Sequence, residues 1–152
     1  MIGVSFREID VHTEAGYVRL NIWDTSSREK ILNITKMYFH DADAAIICVN
    51  ANIEDQYKSI PYWISFIKSN EKSQVELIYI VATDCIDGCI TDPEIIHQIA
   101  NENGLPFFPV RFDFGSHSIL DKIANDLLNT YDIVYKKDED EDKDEKKSCL
   151  IY

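Results

Sequence analysis

The stretch Ala44-Ala45-Ile46-Ile47-Cys48-Val49, apolar at every position and closed off by Asp43 and Asn50, constrains this chain more than any other feature. A half-exposed strand alternates apolar and polar residues, whereas a strand apolar throughout must be covered on both faces. A second such run follows at residues 77–82. Between the two, residues 57–69 set Ile60, Trp63, Ile64 and Ile67 at helical spacing, with Pro61 near the front, where its missing N–H is tolerated. Residues 92–103 read as another helix, with Asp92 as cap, Pro93 in the first turn and Gly104 just past the end. Residues 107–110 suit a short strand, and residues 116–135 a long amphipathic helix carrying Ile119, Ile123, Leu127 and Leu128 on one face. Strands alternating with helices predict parallel pairing, hence an α/β sheet flanked by helices.

The N-terminal part reads differently. Val4, Phe6, Ile9 and Val11 are interleaved with polar residues, with one slip of phase after Phe6, and Tyr17, Val18, Leu20 and Ile22 form a second alternating run. Glu14-Ala15-Gly16 between them predicts a β-hairpin. Residues 24–30 are polar and loop-like, and residues 31–39 suit a short helix. Residues 136–147 are Lys, Asp and Glu only. Such a block cannot bury a core, so one domain is expected over residues 1–135 and a disordered charged tail over 136–152.

The net charge of −12 repels phosphates, which argues against nucleic acid as a partner. The longest apolar runs are far too short to cross a bilayer, and the opening residues, with Arg7, Glu8 and Asp10, do not read as a signal peptide. A cytoplasmic location is therefore expected. Cys48 lies in an apolar run and reads as core. Cys85 and Cys89 have only His97 nearby, too few ligands for zinc, so no metal site is expected.

Several segments are similar to those of Rab-type small GTPases of the Ras superfamily. Ile2-Gly3-Val4-Ser5-Phe6 resembles the Rab segment IGVDF, and Leu20-Asn21-Ile22-Trp23-Asp24-Thr25 resembles LQIWDT. Tyr38-Phe39-His40-Asp41-Ala42 resembles YYRGA, and Gly104-Leu105-Pro106-Phe107 resembles GIPF. The resemblance spans residues 2 to about 130 in the family's order. It implies a small-GTPase-like sheet and a role in vesicle traffic. It also implies an effector-docking surface around Ile2, Val4, Phe6, Trp23 and Tyr38, since clustered aromatics suit a binding hot spot.

The same resemblance implies GTP and Mg as family cofactors, and here the chain departs from the pattern. No GxxxxGK followed by Ser or Thr, the loop whose backbone amides cradle phosphates, occurs in residues 1–152. Met1 stands where the family has a magnesium-binding threonine. The family's DTAGQE becomes Asp24-Thr25-Ser26-Ser27-Arg28-Glu29, leaving Asp24 and Thr25 as remnants of the nucleotide and magnesium site. Ser27 replaces a γ-phosphate-contacting glycine, and Arg28 replaces the water-orienting glutamine and cannot accept a hydrogen bond. The guanine-reading NKxD aligns with Thr83-Asp84-Cys85-Ile86, so Ile86 stands where a base-reading carboxylate belongs. The third motif, SAK, aligns with Arg111-Phe112-Asp113 and is unrecognisable. No cofactor and no catalytic residue are expected for this chain.

Two further expectations come from the resemblance. In the family a first strand lies between the hairpin and the strand at residues 44–49, so its absence here would leave two unpaired edges. Cys149-Leu150-Ile151-Tyr152 fits a prenylation box, which would attach the chain to a cytosolic membrane face through Cys149, with trafficking effectors or regulators as partners. Two alternatives stay open: an active Rab GTPase whose phosphate loop is absent from this sequence, and a fragment without function.

Overall fold

A computed structural model describes residues 4–14, 16–25, 41–70, 73–85, 88–111, 117–130 and 146–151. Its elements are β1 (Ser5–Thr13), β2 (Gly16–Asp24), β3 (Ala44–Asn50), a 3-10 turn (Gln56–Ser59), α1 (Ile60–Ser69), β4 (Leu77–Thr83), α2 (Pro93–Glu102), β5 (Phe107–Pro109), α3 (His117–Thr130) and β6 (Lys146–Ile151). The strands form one six-stranded sheet in the order β1-β2-β6-β3-β4-β5. Only β1 and β2 are antiparallel; every other adjacent pair is parallel.

The two apolar runs become β3 and β4, covered on both faces. Ala45, Ile47, Val49, Ile78, Ile80 and Ala82 join a core with Ile60, Trp63, Ile64 and Ile67 of α1 and Ile96 and Ala100 of α2. Ala44, Ile46, Tyr79 and Val81 point the other way, into a core with Ile119, Ile123, Leu127 and Leu128 of α3 and with Val11, Val18, Leu20 and Ile22 of the hairpin. Alternation along a strand sends successive side chains to opposite layers, which is why a double-sided run is needed. The buried hydroxyl of Tyr79 donates to Asp126 Oδ2 at 2.8 Å, tying α3 to β4.

The helices follow their sequence signals. Asp92 caps α2 by accepting from the Glu94 N–H at 2.9 Å. At its other end the Gly104 N–H donates to the Asn101 carbonyl and the Leu105 N–H to the Ala100 carbonyl, closing the helix through Gly104 at φ 66°. The start of the expected 57–69 helix is instead the 3-10 turn. The expected helices at residues 31–39 and the end of the last one, at 131–135, lie outside the described residues.

The phase slip after Phe6 is not a bulge. The β1–β2 register runs without a break from Ser5↔Asp24 to Thr13↔Gly16. Ile9 and Val11 face α3, whereas Phe6 sits on the opposite face and is 46 % exposed.

The reading of residues 136–152 as a disordered tail does not hold for residues 146–151, which form β6. This strand lies in the gap between β2 and β3 that was expected to stay open, pairing with β2 from Arg19↔Lys146 to Asp24↔Ile151 and with β3 at Ala44↔Cys149, Ala45↔Leu150 and Ile46↔Ile151. The physical reason is backbone hydrogen bonding: two facing strand edges one strand apart carry donors and acceptors that a third strand satisfies. Residues 131–145 lie outside the described residues.

Candidate functional site: the aromatic hairpin face and the carboxyl edge of the sheet

On β1 and β2 the register sets Phe6 directly opposite Trp23, and the two rings meet with centroids 4.5 Å apart at an interplanar angle of 44°. Trp23 is half-buried against the α1–α2 core, which fixes its ring, while Phe6 remains open to solvent. Such a rigid, half-anchored aromatic pair loses little conformational entropy on binding a partner. Further along the same face, Arg19 Nε donates to Asp10 Oδ1 at 2.7 Å and Arg19 also donates to the Tyr17 hydroxyl at 2.9 Å. The hydrogen bond from Arg19 holds the Asp10 carboxyl below its usual range, with Tyr17 adding to the effect. His12 and Tyr17 lie ring to ring at 4.9 Å. The face thus carries a ring pair at each end, with the Asp10–Arg19 ion pair between them.

Of the remaining residues assigned to this surface from sequence, Val4 is half-buried just ahead of β1, and Ile2 and Tyr38 lie outside the described residues. The structure brings together Phe6 and Trp23.

The second region is the carboxyl edge, where the parallel strands β2, β6, β3, β4 and β5 all end. In open α/β sheets ligands bind beyond such an edge. Asp24 ends β2 and is exposed, while Thr25 is buried at 5 %. Asp24 lies near enough to Cys48 for its charge to reinforce the effect of burial, and together they push the Cys48 thiol up to about 11.

Thr83 ends β4, and its hydroxyl donates to the Val49 carbonyl at 3.5 Å. Asp84 follows in the left-handed conformation at φ 55°, its Oδ2 accepting from Asn50 Nδ2 at 2.6 Å. Asn50 is itself held by two more bonds: its N–H donates to Gln56 Oε1 at 2.6 Å, and its Oδ1 accepts from the Asn52 N–H at 2.7 Å. Ile86 lies outside the described residues. The thiol of Cys85 donates to the Ala82 carbonyl at 3.3 Å and that of Cys89 to the Thr91 carbonyl at 3.1 Å, so both serve the loop between β4 and α2.

Sequence reasoning did not anticipate the Asn50–Asp84 tie or the pairing of β6. The first is a contact between residues distant in sequence, with no local signal. The second had one: Cys149-Leu150-Ile151 is an apolar run after a block without any apolar residue.

Residues 1–86, more than half of the chain, match the family model described as Roc, the Ras of Complex domain of DAPkinase. Ras-related protein Rab-26 of Rattus norvegicus is 27 % identical over 109 residues, covering 70 % of this chain and 42 % of the relative. Ras-related protein Rab-12 of Homo sapiens is 26 % identical over 134 residues, covering 84 % of this chain and 54 % of the relative. Ras-related protein Rab-13 of Bos taurus is 29 % identical over 130 residues, covering 84 % and 64 %. The chain spans about half the length of the curated relatives it matches.

Proposed function

This chain belongs to the Roc family of Ras-like domains and is similar to Rab-type small GTPases, and from that premise we propose that it acts in membrane traffic as a partner-docking module in which GTP binding and hydrolysis are lost. The observation that carries the docking role is the Phe6–Trp23 pair, anchored on one side and open on the other. Trafficking effectors or regulators are the proposed partners, with the aromatic pair as the hot spot and the Asp10–Arg19 charges at its rim.

The residues present do not fit a guanine nucleotide with Mg. Asp84, the carboxylate in the base-reading segment, is engaged by Asn50 and holds two strands together. Ile86 offers no acceptor to a guanine ring, and Arg28 none to an attacking water. Phosphoryl transfer depends on positioning and charge stabilisation together, so losing several contacts removes it. We assign no catalytic residue.

For a chain ending at Tyr152, Cys149 is the proposed lipid attachment point in the state where residues 146–151 leave the sheet, since within it Cys149 is paired with Ile22 and Ala44; the lipid would give weak, reversible anchoring on the cytosolic face of an endomembrane. Among the described residues no helix is long and apolar enough to cross a membrane. Partner binding through Phe6 and Trp23 would then supply the second signal that stable residence needs.

Two measurements test the reading. Titration of the full chain with fluorescent GTP and GDP in Mg-containing buffer is expected to give a Kd weaker than about 1 mM. Phe6→Ala and Trp23→Ala are expected to disperse a fluorescently tagged chain from endomembranes. Submicromolar nucleotide binding, or membrane residence unaffected by both substitutions, would overturn it.

A further inference from the structure

Three of the five large apolar side chains exposed among the described residues lie on segments that meet at one corner of the sheet's carboxyl edge. They are Ile53 at 49 % exposure, Ile90 at 63 % and Ile95 at 43 %. Backbone bonds bring the segments together. The Thr91 N–H donates to the Ala51 carbonyl at 2.8 Å, which sets the loop after β3 beside the loop that leads into α2. Ile53 follows Ala51 by two residues, and its N–H donates to the Asn50 carbonyl at 3.1 Å. Ile90 directly precedes Thr91. Ile95 stands in the first turn of α2, its N–H on the Asp92 carbonyl at 3.0 Å.

The corner is held firmly. Ala51 and Thr91 are buried, and the Asn50 side chain ties the first loop to Asp84 and to the Asn52 N–H. A lone exposed isoleucine needs no explanation, because folded proteins keep much apolar surface in water. Three of them on segments fastened to one another, on a platform that does not have to be ordered first, suit a contact surface.

Charge decides what covers it. Glu54 and Asp55 flank Ile53 in the chain, and Asp92 and Glu94 stand between Ile90 and Ile95; all four are exposed. Asp84 lies at the base of the corner, on Asn50. Residues 50–60 and 83–97 contain a single Lys and no Arg, and that lysine, Lys58, is bound to Asp55 at 2.7 Å. An acidic rim around an apolar centre repels nucleic-acid phosphates and anionic lipid. It also repels this chain's own residues 138–145, acidic except for Lys143, and a second copy carrying the same net charge of −12. A basic amphipathic helix matches both parts: its apolar stripe covers the isoleucines while the charges along its edges meet the carboxylates.

We propose that the corner formed by Ile53, Ile90 and Ile95 docks a basic amphipathic helix of a partner protein. Apolar contact supplies the affinity, and the acidic rim steers the encounter and fixes the helix's orientation. The surface uses neither Phe6 nor Trp23, so it is a second docking site that stands independently of the aromatic one.

Fluorescence anisotropy with the full chain and a labelled peptide tests this. The probe is built of Leu and Lys over about four helical turns with every Leu on one face, and the control has the same composition with Leu scattered round the helix. The probe is expected to bind at least about tenfold more tightly than the control. Ile53→Ser combined with Ile90→Ser is expected to weaken it at least about tenfold, and Glu54→Gln combined with Glu94→Gln about threefold, the latter effect vanishing near about 0.5 M salt. Phe6→Ala is expected to leave it unchanged. Each substituted side chain is exposed, so an unaltered Tm is expected for every variant. Equal binding of probe and control, or affinity indifferent to the isoleucine substitutions, overturns the proposal, since attraction to an acidic chain would then suffice. Binding lost in Phe6→Ala but kept in the isoleucine double variant places the peptide on the hairpin and overturns it too. So does a dimer mass for the chain alone that falls to the monomer in the isoleucine double variant, which makes a second copy the occupant. Neither the nucleotide titration nor the membrane measurement bears on these outcomes.

Discussion

Asn50 Nδ2 donates to Asp84 Oδ2 at 2.6 Å, a bond between residues 34 apart in sequence that joins the carboxyl ends of β3 and β4. Asp84 makes it from the left-handed region, at φ 55°, where Asp and Asn are tolerated and most other residues are strained. Asp84→Ala is therefore expected to cost about 1.5–3 kcal/mol from the lost charged hydrogen bond plus about 1 kcal/mol of backbone strain. Asp84→Asn retains an acceptor and the conformation, and is expected to lose less than half as much. Urea unfolding of the two variants checks the order; equal losses would show that the bond itself matters little.

The hairpin offers a contrast between its two faces. Leu20 is fully buried against α3, and Leu20→Ala is expected to destabilise the fold by about 2–5 kcal/mol. Phe6→Ala removes one half of an exposed aromatic pair worth about 0.5–1.5 kcal/mol, so it is expected to spare the fold while weakening partner binding. Thermal unfolding measured alongside membrane recruitment separates the two effects.

Leu150 pairs with Trp23 on one side and Ala45 on the other, so its backbone belongs to the middle of the sheet. Leu150→Pro removes an N–H and cannot sit in a central strand. The expected loss is about 2 kcal/mol, or a fall of about 4–8 °C in Tm. A chain whose unfolding is unchanged by this substitution would not use β6 as a structural strand.

Cys48 gives a pH dependence. Burial, reinforced by the charge of Asp24, moves its thiol from the usual 9.0 to about 11 in the folded state. The folded chain then holds this proton more tightly than the unfolded chain. The contribution is complete below pH 9 and falls away as pH rises through 11, with a size of about 2–3 kcal/mol. Stability compared between the native chain and Cys48→Ala is expected to diverge less as pH climbs across that window. Alkylation of Cys48 at pH 8 is expected to run about a hundredfold slower than that of a thiol at the usual value.

What the sequence determined by itself was local. The apolar runs at 44–49 and 77–82 announced strands covered on both faces, because a side chain alternates sides at every residue and no polar one was present in either phase. Helical spacing picked out Ile60, Trp63, Ile64 and Ile67, and later Ile119, Ile123, Leu127 and Leu128, and all eight are buried. Asp92 and Gly104 marked the ends of α2 through hydrogen bonds made within a few residues. The family motifs around Phe6 and Trp23 were also legible, since they are contiguous strings.

Tertiary structure alone decided the rest. Periodicity could not assign Phe6 to the solvent face, because an apolar residue out of phase looks like a bulge until the register with Trp23 is known. Nothing near Asn50 or Asp84 foretold their bond, which exists only because β3 and β4 lie side by side. Residues 146–151 follow a charged block and read as tail, yet they form a strand where two edges lack a neighbour. Local sequence sets which conformations a segment can adopt cheaply. Which unsatisfied backbone it meets is set by segments far away in the chain, and here that meeting turned a tail into the middle of a sheet.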